Sequence, residues 1–161
     1  MDKGYVHIFC GEGKGKTTAA IGQAIRVASA GQSVIIIQFL KEKLSEEIRF
    51  IQRLEPEIKL FRFQKADQAF DQLTEEEQAE EVQNVRNGWN FAKKVMVTHE
   101  CDVLILDEVL ALIDNEIITR EELESLITSK DENMTLILTG VHCSEALWDC
   151  ADAVTELIQR R

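Results

Sequence analysis

The chain has 161 residues, 45% of them hydrophobic and 29% charged, which is the length and balance of one globular domain rather than of a disordered or fibrous chain. A formal net charge of −11 argues against broad binding to nucleic acid, which rests on Lys and Arg neutralising phosphates. No apolar run approaches the roughly 20 residues that span a bilayer, and the opening residues do not read as a secretory signal, so a single cytoplasmic domain over 1–161 is expected, with neither nucleic acid nor membrane as partner.

The first apolar run, 5–10, predicts a strand and leads without a break into Gly11-Glu12-Gly13-Lys14-Gly15-Lys16-Thr17-Thr18. A helix is predicted over 16–30, closed by Gly31, a residue suited to the left-handed conformation that ends helices. A second strand, 33–39, follows, and Pro56 marks a turn between a helix and a third strand at 58–61. Thr74 followed by Glu75, Glu76 and Glu77 reads as an N-cap with acids in the first turn, where the helix dipole favours negative charge. It opens a long helix to about residue 99. The acidic cluster over 75–81 reads as a solvated helix face.

Further along, a strand is predicted over 102–107. Thr119 with Glu122 resembles a capping box for a helix to about 129. A strand over 135–139, a short helix over 144–150 and a last strand over 153–157 complete the series. Continuously apolar Val- and Ile-rich strands between helical segments indicate an α/β fold, a three-layer parallel sheet with helices on both faces. Cys10, Cys101, Cys143 and Cys150 form no CxxC pair and read as buried free thiols.

A glycine-rich loop between a strand and a helix is the setting that a P-loop, or Walker A motif, requires. Gly11, Gly13 and Gly15 let the backbone turn its N–H groups inward, and with the helix N-terminus they form a concavity for phosphate. Lys16 supplies a point charge to the phosphates of ATP, and the Thr17 hydroxyl is a ligand for Mg²⁺ or Mn²⁺. Glu12, Lys14 and Thr18 belong to the same nucleotide-binding loop. The common motif has a glycine where Cys10 stands, so this is a shortened variant.

The second element is Val103-Leu104-Ile105-Leu106-Asp107-Glu108, an apolar strand ending in two carboxylates, as in a Walker B segment. Carboxylates there lie beyond the carboxyl end of a buried parallel strand, where such sheets hold ligands. Taken alone the pair could be an ordinary acidic turn. Joined to the P-loop, Asp107 and Glu108 become metal ligands with Thr17, and Lys16 and Glu108 the candidate catalytic residues.

Other residues admit two readings. Gln38 and Lys41, and Thr139 with Gly140, either face the crevice or form ordinary strand exits. Arg26 on the first helix reaches the nucleotide or pairs with a surface acid. Trp89 and Phe91 on the long helix are core residues or ligand contacts. Phe61, Phe63 and Phe70 cover an apolar ligand face or pack loosely. His7 and His99 have no neighbouring nucleophile and receive no role.

These segments resemble the P-loop ATP:corrinoid adenosyltransferases over nearly the whole chain. The likeness lies in residues 11–20, Gln38-Phe39-Leu40-Lys41, Gly88-Trp89, Leu106-Asp107-Glu108, Leu138-Thr139-Gly140 and Ala151-Asp152-Ala153-Val154-Thr155-Glu156-Leu157, and the shortened P-loop is similar to that family's version. The resemblance implies a RecA-like P-loop NTPase sheet, a homodimer, and an electron-donor reductase as partner. It also implies transfer of the 5′-deoxyadenosyl group of ATP to Co(I) of a corrinoid, in adenosylcobalamin synthesis or salvage, with triphosphate leaving. Cobalt is then the nucleophile and the chain needs none of its own. Two departures stand out: Val141 replaces the arginine usual after Thr-Gly, and the family's glycine-rich aromatic segment is not reproduced around 61–70. The P-loop alone also fits an ATPase or phosphotransferase, or a nucleotide-binding regulatory module.

Overall fold

The computed structural model describes residues 3–40 and 46–161. Six strands run in chain order β1 (Val6–Cys10), β2 (Val34–Gln38), β3 (Ile58–Arg62), β4 (Val103–Asp107), β5 (Thr135–Thr139) and β6 (Ala153–Glu156). They form one parallel sheet in the order β3-β2-β4-β5-β1-β6. The four inner strands are buried almost throughout, which is why they read as unbroken apolar runs instead of alternating ones. β6 is an exposed edge.

Successive strand residues face opposite sides, so the inner strands serve two cores. Phe9, Val34, Ile36, Ile58, Val103, Ile105 and Ile137 pack against Ala20 and Ala24 of α1 (Lys16–Ser29) and Ile51 of α2 (Glu46–Ile51). Their neighbours Ile8, Ile35, Ile37, Leu104, Leu106, Leu136 and Leu138 meet the other face. There they pack on α3 (Glu75–Thr98), α4 (Leu110–Asp114), α5 (Arg120–Thr128) and α6 (Glu145–Trp148). The expected three layers are present.

Local signals account for most boundaries. Thr74 accepts a hydrogen bond from the Glu77 N–H while the Glu77 carboxylate accepts one from the Thr74 N–H, a full capping box at the start of α3. Thr119 caps α5 through the Glu122 N–H. α4 has no cap signal in the sequence, which predicts no helix there. It follows directly from the turn after β4 and buries Leu110 and Leu112.

The acidic face of α3 requires a correction. Glu75, Glu76, Glu77 and Glu80 are exposed, but Glu81 is only 6% exposed. It sits on the same buried stripe as Val85, Trp89, Ala92 and Met96. Its carboxylate accepts hydrogen bonds from the Lys65 N–H at 2.8 Å, the Ala66 N–H at 3.2 Å and Asn84 Nδ2 at 2.9 Å. A buried carboxylate is tolerable when donors surround it. Here they come from the segment between β3 and α3, which Glu81 ties to the helix. Gln78 adds a bond from Nε2 to the Phe70 carbonyl at 2.9 Å.

Candidate nucleotide site

The loop after β1 is built by backbone that only glycine adopts easily. Gly11 and Gly15 have φ of 110° and 105°. A side chain at Gly11 or Gly13 would also strike the Leu157 carbonyl, at 2.5 and 2.6 Å from an added Cβ. That closeness reflects a clamp. The Gly13 N–H donates to the Leu157 carbonyl, the Leu157 N–H to the Cys10 carbonyl, and the Gly11 N–H to the Val141 carbonyl, all within 3.0 Å.

The start of α1 is left open. Gly15 is its N-cap and no side chain among the described residues caps it, in contrast to α3 and α5. The first N–H groups of a helix lack intrahelical partners and carry the positive end of the dipole, so this terminus suits an anion. Lys16 Nζ bends back to donate to the Gly13 carbonyl at 3.0 Å, keeping its charge over the loop.

β4 brings Asp107 to the foot of this loop, 1% exposed. The Thr17 hydroxyl donates to Asp107 Oδ1 at 3.0 Å, with Oδ2 at 3.1 Å. Thr139 Oγ1 donates to Oδ1 at 2.7 Å and Gln38 Nε2 to Oδ2 at 3.0 Å. Strand register explains the convergence: Gln38 pairs with Asp107 across β2 and β4, and the β4–β5 pairing through Leu106 and Leu138 carries Thr139 alongside. Gln38 Oε1 is a buried acceptor without a hydrogen-bond partner among the described residues.

A cavity of about 860 Å³ adjoins the outer side of the loop, lined in part by Gly11, Gly13, Val141, Trp148 and Leu157. Cys10 and Cys143 also line it. Burial, reinforced by the neighbouring Cys10 sulfur, pushes the Cys143 thiol up to about 11. The Cys10 thiol is raised as well, by burial and then by Glu156. All four cysteines are free.

A model of the family described as ATP:corrinoid adenosyltransferase BtuR/CobO/CobP matches residues 2–161. The chain belongs to the ATP:corrinoid adenosyltransferase family. It is 30% identical over 156 residues to the corrinoid adenosyltransferase of Escherichia coli strain K12, covering 97% of this chain and 77% of that protein. It is 31% identical, with the same coverage, to the corrinoid adenosyltransferase CobA of Salmonella typhimurium. Among solved structures, ATPases 2 and 3 of EssC from Geobacillus thermodenitrificans share the fold, with TM-score 0.52 and 15% identity over 97% of this chain and 32% of that one.

Within this adenosyltransferase chain the structure gathers Gly11, Glu12, Gly13, Lys14, Gly15, Lys16, Thr17, Thr18, Gln38, Asp107 and Glu108 at one end of the sheet. Arg26 is not among them. It is exposed in the last turn of α1, ten residues and roughly 15 Å of helix axis beyond Lys16. There its charge complements the helix C-terminus. Trp89 is 1% exposed and belongs to the core instead of a ligand face. Phe63 and Phe70 are half-buried. The Phe63 ring lies 5.5 Å from that of Phe91, and an added Cβ on Gly88 would come within 2.9 Å of it. Lys41 lies outside the described residues.

The sequence alone leaves Thr139 open between facing the crevice and an ordinary strand exit, and gives Arg62 no role. Arg62 ends β3 in register with Gln38 and so belongs to the same row of strand ends. Burial lowers its pKa, partly countered by Asp67. An arginine directly after the apolar pair Leu60-Phe61 at the end of a strand was the available signal.

Proposed function

We propose that this chain transfers the 5′-deoxyadenosyl group of ATP to Co(I) of a corrinoid and releases triphosphate. The observation that carries this reading is the uncapped start of α1 within the glycine loop, joined through Thr17 to Asp107, in a chain of the adenosyltransferase family. Lys16 and the N–H groups at the start of α1 would hold the triphosphate and stabilise the charge it gains as it leaves. In the transfer the cobalt electron pair forms the new bond to C5′, the C5′–O bond breaks towards the triphosphate, and cobalt ends as Co(III). The chain's task is alignment of the two reactants, which removes much of the entropic barrier.

The residues fit Mg²⁺, or Mn²⁺, accompanying the nucleotide. Mg²⁺ is usually held by one or two carboxylates together with substrate phosphates and water, not by an all-protein cage. Thr17, Asp107 and Glu108 would hold it, and the unpartnered Gln38 Oε1 supplies a buried acceptor for a bound water. When bound, the ion would neutralise charge on the triphosphate. Thr17 can keep donating its proton to Asp107 while its oxygen lone pairs face the ion.

Phe63 and Phe70, on the segment that Glu81 ties to α3, are the aromatic candidates for an apolar corrinoid face. The single continuous sheet supports one domain over 1–161. The family resemblance supports a homodimer and a separate reductase that delivers the corrinoid as Co(I). The test mixes protein, Mg·ATP and chemically reduced cobalamin under strict anaerobiosis. A light-sensitive alkylcobalamin spectrum with free triphosphate is expected. ADP or AMP as product, or no alkylcobalamin, would overturn the assignment.

A further inference from the structure

Thr139, the last residue of β5, has no exposed surface and lies outside the loop that would grip the phosphates. Its hydroxyl has two short partners. Oγ1 donates to Asp107 Oδ1 at 2.7 Å and accepts the Glu108 N–H at 2.7 Å. A hydroxyl has one proton to give, so the bond to the carboxylate takes its whole donor capacity and fixes its rotation. The donor bond is short, as expected for a hydroxyl on an ionised carboxylate.

The second partner is unusual. Glu108 has φ of 62°, the left-handed region that a side-chain-bearing residue enters only at a cost. Such strain persists where surrounding bonds over-determine it, and it clusters at functional sites. In a continuing strand Asp107 and Glu108 would face opposite sides of the sheet. The left-handed turn breaks that alternation at the residue where β4 leaves the sheet. The Thr139 hydroxyl holds this turn by its N–H and, with the same atom, sets the carboxylate one residue earlier.

We infer that Thr139 is a positioning residue for both acids of the nucleotide site, its hydroxyl orienting the Asp107 carboxylate and holding Glu108 in its left-handed turn. The inference rests on the reading above that these acids serve metal-bound ATP. It does not depend on which acceptor receives the adenosyl group.

The test compares Thr139→Val, which keeps the shape and loses the hydroxyl, with Thr139→Ser, which keeps the hydroxyl and loses a buried methyl. Mn²⁺ is the probe, its affinity for the ATP-loaded protein read by paramagnetic resonance beside the thermal midpoint and the rate of alkylcobalamin formation. Thr139→Val is expected to weaken Mn²⁺ about tenfold or more, as loss of an outer-shell partner does. Its rate at saturating ATP should fall about 10- to 100-fold, with metal-free ATP affinity unchanged. Thr139→Ser should lower the thermal midpoint yet recover most of the Mn²⁺ affinity and rate.

If Thr139→Val binds Mn²⁺ and turns over like the wild type, the inference is wrong. It is equally wrong if both variants lose only stability. Should Thr139→Val not fold, Thr139→Cys, similar in size with a weak S–H donor, takes its place under the same criteria. A wild type that makes no alkylcobalamin but shows the Mn²⁺ pattern would remove the proposed reaction and leave this inference standing.

Discussion

The Thr17 hydroxyl donates to both carboxylate oxygens of Asp107, at 3.0 and 3.1 Å, across a sequence separation of 90 residues. That contact locks the first turn of α1 to the end of β4. The Walker A and Walker B elements therefore behave as one unit, and a change in either should be felt by the other.

Asp107→Asn tests the coupling. One amide oxygen cannot replace two carboxylate oxygens, and the new NH₂ group would face donors from Thr17, Thr139 or Gln38. Leaving buried groups so mismatched costs about 2 kcal/mol. The thermal midpoint should then drop by about 6 °C for a domain of this size, and metal-dependent ATP binding should weaken as well. An unchanged melting curve with normal Mg·ATP affinity would contradict the arrangement.

Lys16→Ala should fold normally, because its ammonium makes one half-exposed bond to the Gly13 carbonyl. Removing one charge positioned on a departing anion reduces turnover by about 100- to 1,000-fold. The rate of alkylcobalamin formation at saturating ATP measures this. Near-wild-type turnover would mean that the phosphates sit elsewhere.

Glu81→Ala strips the acceptors from the Lys65 and Ala66 N–H groups. Stability should fall by about 2 kcal/mol, and amide exchange over residues 63–69 should accelerate while that of β4 stays slow. Glu81→Gln, which retains one oxygen, should lose roughly half as much. Equal protection of the segment in wild type and Glu81→Ala would show that the anchor is dispensable.

Alkaline pH should destabilise the protein in part through Cys101. Burial raises that thiol from 9.0 to about 12, so the folded chain keeps the proton after the unfolded chain has released it. The stabilisation is complete below pH 9.0 and is lost progressively as pH rises towards about 12. Denaturant midpoints of wild type and Cys101→Ala, measured at about pH 8 and about pH 10.5, should converge at the higher value. Parallel pH dependences would refute the assignment.

The glycine loop, the strand before it and the acid pair at Asp107-Glu108 were legible in the chain itself. So were the continuously apolar strands and the Thr74 and Thr119 caps. Each depends on residues near one another in sequence: glycines at positions of positive φ, a Val- and Ile-rich run between turns, a hydroxyl three residues before an acid. α4 carries no such local signal, because it has no cap of its own and forms where packing of Leu110 and Leu112 demands it.

What needed the tertiary structure was the fate of polar side chains. A glutamine or threonine at a strand exit has the same local sequence whether it meets solvent or a carboxylate. Register across β2, β4 and β5 brought Gln38 and Thr139 onto Asp107. The same dependence on distant contacts put Glu81 beneath the Lys65–Ala66 backbone and Trp89 in the core. Short-range patterns in the chain thus determined the phosphate loop. Long-range packing decided which polar side chains are gathered and aimed around it, since those contacts join residues many tens of positions apart.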